Sequence, residues 1–100
     1  MSKISKACDI SPKVREEVMK RDGGKCIICG AVFSLQIAHY ISRARLGLGI
    51  PENLGVMCSH CHFQYDNGKF HNEIKKLFRE HLEANYEEWN EKNLTYRKWR

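Results

Sequence analysis

Cys26-Ile27-Ile28-Cys29-Gly30 and, with 28 residues between the two cysteine pairs, Cys58-Ser59-His60-Cys61-His62 are the stretches on which the fold turns. Two residues between cysteines let both thiolates reach one ion at about 2.3 Å, and two such pairs complete the tetrahedral set of a zinc. A site with four sulfurs is closed, so this metal is expected to be structural rather than catalytic. The second run also reads C-x-x-C-H, the haem c attachment pattern, which belongs to exported proteins. Met1 to Ile10 contains no apolar run long enough for a secretory leader, and no segment could span a membrane. The expected compartment is therefore a reducing cytoplasm, which disfavours two disulfides. A redox C-x-x-C would need one pair in a βαβ setting, and that setting is missing. Structural zinc on Cys26, Cys29, Cys58 and Cys61 is the reading retained, with Cys8 left over as an incidental thiol.

Working outward, 100 residues suit a single domain near the lower end of what one core can stabilise. A domain this small with a thin core benefits from a metal staple. The net charge is +5, and it is uneven: residues 1–50 carry nine Lys/Arg against four Asp/Glu, while residues 51–100 carry eight of each. A basic half suits a polyanionic partner, because fixed cations displace condensed counterions from phosphates; it suits simple solubility as well.

Met1 to Ile10 is polar and aperiodic and reads as a flexible tail, followed by one domain over residues 11–100. Ser11-Pro12 looks like an N-cap with proline in the first helical turn. Val14, Val18 and Met19 give that helix an apolar face, and Gly23-Gly24 stops it after Asp22. Val32 to Tyr40 suits a strand or hairpin, residues 41–53 a loop, and Leu54 to Met57 a second strand. A helix from about Ser59 to Tyr65 breaks at Asn67-Gly68. Ile74, Leu77, Phe78, Leu82, Tyr86 and Trp89 recur at three- and four-residue steps, which predicts an amphipathic helix over about 72–90. Its acid-rich surface makes it scaffold or dimer contact rather than a DNA-facing helix. The basic end, Lys92 to Arg100 with Trp99, could still reach a nucleic-acid backbone. His60 is expected to face solvent or phosphate, and His71 and His81 to lie on the surface of the last helix.

Between and beside the cysteine pairs lie His39, Asn53 and His62. Together with Arg21-Asp22-Gly23, Leu35-Gln36-Ile37-Ala38-His39-Tyr40-Ile41, Pro51-Glu52-Asn53-Leu54 and Cys58-x-x-Cys61-His62, they make residues 12–70 similar to the HNH endonuclease family. The subset resembled carries two zinc knuckles and is common among small bacteriophage proteins. The resemblance implies an α+β fold: a zinc-stapled, treble-clef-like ββα-metal core with an N-terminal helix and a long C-terminal helix.

The activity implied is metal-dependent hydrolysis of phosphodiester bonds in DNA. His39 would be the general base that activates water, since histidine has the suitable unperturbed pKa. His62 would bind a catalytic divalent ion, Mg²⁺ or in vitro Mn²⁺ or Ni²⁺, to stabilise charge on the phosphate and leaving oxygen. Asp66 lies one helical turn after His62 and offers a second ligand. Asn53 has two roles in the family, ordering the loop or joining the metal shell, and the loop role is favoured here. Many members carry an acidic residue or histidine directly before the first histidine as a ligand; this chain has Ala38, which cannot ligate. Arg43 and Arg45 in the loop, with Lys20 and Arg21, are the expected phosphate contacts. A role in phage DNA packaging or recombination, in host cytoplasm and with homodimerisation, is implied by resemblance only. The rival readings are a non-catalytic zinc-knuckle DNA-binding module on the same scaffold, and a protein–protein adaptor with no DNA affinity even at low salt.

Overall fold

The computed structural model describes residues 3–97. Ser11 opens the first long helix as its sequence requires: Ser11 Oγ accepts the Val14 amide at 3.1 Å, and Pro12 stands in the first turn. This helix, α2 (Pro12–Arg21), follows a shorter one, α1 (Lys3–Cys8). Gly23 and Gly24 then adopt φ of +71° and +66°, a left-handed turn that a side chain would strain.

Strands β1 (Leu35–His39) and β2 (Leu54–Cys58) pair antiparallel, with Ile37 opposite Val56, Ala38 opposite Gly55 and His39 opposite Leu54. Residues alternate between the two faces of this ribbon, and each face is covered. Ile37, Leu54 and Val56 pack with Val18 of α2. Ala38 and Met57 face the larger core, built with Tyr65 of α3 (Ser59–Asn67) and with Ile74, Phe78 and Leu82 of α4 (His71–Asn85). Every residue of β2 is buried, as expected of a strand whose two faces are both covered by helices. The α+β class, with a ββα unit of β1, β2 and α3 beside a cysteine cluster, matches the expectation.

Several elements differ from the sequence reading. The segment read as a tail carries α1, whose last residue, Cys8, is buried. The first strand starts at Leu35 rather than Val32; Val32 and Phe33 are 72% and 71% exposed, and Ser34 turns the chain with φ of 54°. The long helix stops at Asn85, not at residue 90, because Tyr86 becomes extended. Tyr86 and Trp89 therefore pack from a turn. The Trp89 indole donates to the Glu52 carbonyl at 2.8 Å and meets Tyr40 edge-on. The basic C-terminal stretch also folds back: Leu94 is buried, and Gly47 and Thr95 form an isolated antiparallel bridge. Trp99 lies outside the described residues.

Candidate functional site

The cysteine pairs meet where the sequence placed them. The four sulfurs all lie within 4.8 Å of one another, and Cys29 and Cys58 Sγ are 3.6 Å apart. A tetrahedron with metal–sulfur bonds of about 2.3 Å has edges of about 3.8 Å, so the cluster is already near the size of a zinc site. Cys58 ends β2 and caps α3, its Sγ accepting the Cys61 amide at 3.4 Å. The first pair sits in a turn closed by Cys26 and Ala31, with Gly30 at φ +79°. Burial opposes ionisation of Cys26, but hydrogen bonds from backbone amides, including those of Cys29 and Ile28, outweigh it and bring the thiol to about 7. Burial and the neighbouring thiols push Cys61 up. A dication among the sulfurs is what would let all four ionise together.

A separate open cleft of about 820 Å³ is lined by His39, His62 and Asp66 with Asp9, Arg15 and Arg43. His39 ends β1, and its Nε2 lies 2.9 Å from the Cys8 carbonyl oxygen. A carbonyl can only accept, so Nε2 carries the hydrogen and Nδ1 keeps its lone pair. Burial is the main influence on this imidazole and lowers its pKa from the ordinary value, with Arg43 and His62 acting in the same direction against Cys8 and Asp66. His39 is thus held neutral with one nitrogen able to accept a proton.

His62 and Asp66 share one face of α3, with Nε2 to Oδ2 at 3.2 Å. On the other side of the ring, Nδ1 is 2.6 Å from Gln36 Oε1. An amide oxygen only accepts, so Nδ1 donates to Gln36 and Nε2 is the ring nitrogen that faces the carboxylate. If the Nε2 proton is given up, Nε2 and the carboxylate are placed to share a cation, and the bond to Gln36 orients the ring for it. Among the described residues, the four cysteines form the one close group of three or more His, Cys, Asp or Glu donors. An ion in the cleft would therefore take two protein ligands and complete its shell with water and phosphate, as Mg²⁺ commonly does.

Asn53 does not line the cleft. It is fully buried, and its Oδ1 accepts the Ile41 amide at 2.8 Å while Nδ2 donates to the carbonyls of Ile41 and Leu48 at 3.1 and 2.9 Å. Those bonds tie the two ends of the loop that follows His39. Ala38 also points away from the cleft, into the core with Tyr40 and Phe78.

The basic residues divide. Arg43 lines the cleft, 2.6 Å from Asp9, and Arg45 lines an adjoining groove that shares Ser42 and Asp66 with it. Lys20 is exposed on α2 but borders a different surface, beside Gly23 and Gly24. Arg21, expected at phosphate, is turned inward. Its guanidinium pairs with Asp22 at 2.7 Å and donates to the Pro51 and Leu54 carbonyls and to the Tyr86 hydroxyl. Those partners use the donors a phosphate would need. His81, expected on the surface, instead lies 2.7 Å from the same buried Asp22. His71 stacks on Tyr65. Sequence reasoning missed Asp9, Arg15 and Gln36. Nothing local marks these three, and the alternation of β1 sets Gln36 on the face opposite to His39, where it reaches His62 of α3.

No family model matches the chain, and no curated protein matches it in sequence. Among solved structures, the fold is shared with the type IV phosphorothioation-dependent restriction endonuclease ScoMcrA, with a TM-score of 0.65 and 24% identity. The match covers 79% of this chain and 18% of that one, so the likeness is one of fold, over a small part of the larger enzyme.

Proposed function

We propose that this chain is a metal-dependent endonuclease that hydrolyses phosphodiester bonds in DNA, with His39 as the general base. The observation that carries the reading is the cleft itself, which gathers a neutral, tautomer-fixed histidine, a His62–Asp66 pair and Arg43. The endonuclease that shares the fold supports DNA as the partner. In this reading His39 Nδ1 takes a proton from water as the water oxygen attacks phosphorus, and the bond to the leaving oxygen breaks. Arg43 exchanges Asp9 for a phosphate oxygen and steadies the substrate. His62 and Asp66 would hold a divalent ion, Mg²⁺ or in vitro Mn²⁺ or Ni²⁺, whose contribution is to stabilise charge on the phosphate and leaving oxygen.

Conversion of supercoiled plasmid to nicked and linear forms, titrated with each of the three ions, tests this. His39→Ala should slow cleavage by about 100-fold or more while zinc content and fold stay intact. Full activity in that variant would remove His39 from the role. A second reading, a DNA-binding module without chemistry, draws on Ala38, which leaves two candidate ligands in the cleft. It predicts retention of DNA on a gel with no cutting under any of the three ions.

A further inference from the structure

The chain around α1 meets the cleft at two points and the loop behind it at a third. The Cys8 carbonyl faces His39 Nε2 at 2.9 Å, the Ala7 carbonyl accepts the Gly49 amide at 3.0 Å, and Asp9 pairs with Arg43 at 2.6 Å. The second contact needs a glycine. A Cβ on residue 49 would lie 2.0 Å from the Asp9 carbonyl oxygen and 3.1 Å from that of Cys8, both backbone atoms with no flexible end to give way. The Cys8 side chain is 2% exposed and anchors this end of the helix. Packing of a surface helix would require neither the close approach of two backbones nor a carbonyl aimed at a ring nitrogen.

We propose that residues 3–9 are a strap that completes the cleft, with α1 seated on Gly49 so that the Cys8 carbonyl holds His39 in its Nε2–H tautomer and Asp9 holds Arg43 beside it. Cys8 and Gly49 are positioning residues, acting through His39. Without the carbonyl, the hydrogen could sit on Nδ1, which then could not accept a proton. The catalytic half of the proposal rests on the reading of His39 as a base; the tautomer half stands on the geometry alone.

Two variants of the full chain test it. Gly49→Ala pushes the Cys8–Asp9 peptide off the loop, and Ala7→Pro disrupts the last turn of α1 without entering the core. Ring ¹⁵N shifts and their couplings to carbon-bound protons report the His39 tautomer, and cleavage of a duplex oligonucleotide reports kcat and KM. In both variants the His39 signal should move from the Nε2–H form to a mixture, and kcat should fall by about 100-fold with KM little changed. Lys6→Ala, on the exposed side of α1, should leave both readouts at the wild-type values. A pure Nε2–H tautomer in both folded variants overturns the proposal, and so does a shifted tautomer with unchanged kcat. A wild-type protein inert on DNA with every ion would overturn the endonuclease reading instead, and the tautomer would then decide the strap by itself.

Discussion

Single residues in this chain act mostly through what they leave satisfied. Asn53 sits at 0% exposure with both ends of its amide engaged, by the loop that follows His39; the family resemblance offered loop ordering as one of two roles for it, and residue type alone would not have chosen between them. Arg21 was not legible in the same way, since an arginine at the end of an amphipathic helix gives no local sign of facing inward. Its direction depends on Asp22, His81 and Tyr86, and two of those arrive from more than fifty residues away. Asp22 is the centre of that network and gives it a measurable signature. Burial raises its pKa, but hydrogen bonds from His81, Arg21 and the Val56 amide outweigh burial and bring it down to about 2 from 3.8. A carboxyl with a depressed folded-state pKa adds stability that is complete above its unfolded value and is lost as pH falls through the folded one. The loss should thus run from about pH 4 down to about pH 2 and amount to about 2 kcal/mol. Urea unfolding at a series of pH values should show that slope in the wild type and lack it in Asp22→Asn, which should also be less stable at neutral pH. Identical slopes in the two proteins would mean that Asp22 is not the paired carboxylate described.

At the level of elements, capped and regularly patterned segments were readable and context-dependent ones were not. Ser11-Pro12 announced α2, and apolar spacing announced α4. The spacing ran too far because Tyr86 and Trp89 fall at helical intervals yet pack against Arg21 and Tyr40 from a turn, and periodicity cannot separate those cases. Helix α1 is six residues long with no apolar repeat, too short to be stable without tertiary contacts, so its signal lies in Gly49 and His39 rather than in itself. The seating of α4 on β2 likewise turns on one position. A Cβ at Gly55 would meet Phe78 Cε1 at 2.7 Å and Ile27 Cδ1 at 2.8 Å, and Phe78 is fully buried with no room to retreat. Gly55→Ala should therefore cost about 1–3 kcal/mol, seen as a lower urea midpoint with an unchanged slope. An unchanged midpoint would mean that α4 does not press on β2 at this residue.

For the whole molecule, the question is what holds 100 residues together around a two-stranded ribbon. Each of the two apolar clusters is small, and the cysteine cluster joins the turn before β1 to the end of β2 and the start of α3. One ion at that junction would clamp the turn before β1 to the boundary between β2 and α3. Zinc bound by peptide fingers contributes about 10–16 kcal/mol near neutral pH, whereas a domain of this size has a net stability of about 5–15 kcal/mol. Removing the ion should therefore unfold the chain rather than soften it. Dialysis against a strong chelator should abolish the near-ultraviolet circular dichroism from Tyr40, Tyr65 and Trp89, and one equivalent of zinc should restore it cooperatively. Cobalt in place of zinc should give the intense visible bands of a tetrahedral thiolate site, and Cys61→Ala should give neither the bands nor the fold. A chelated protein that keeps its dichroism and its urea transition would show that the two apolar clusters suffice. Because thiolates must be deprotonated to bind, zinc-free unfolding should also set in on acidification. The onset of the Asp22 slope is for that reason read only down to the pH at which the ion leaves, as a difference between wild type and Asp22→Asn, and the neutral-pH gap between the two proteins carries the rest.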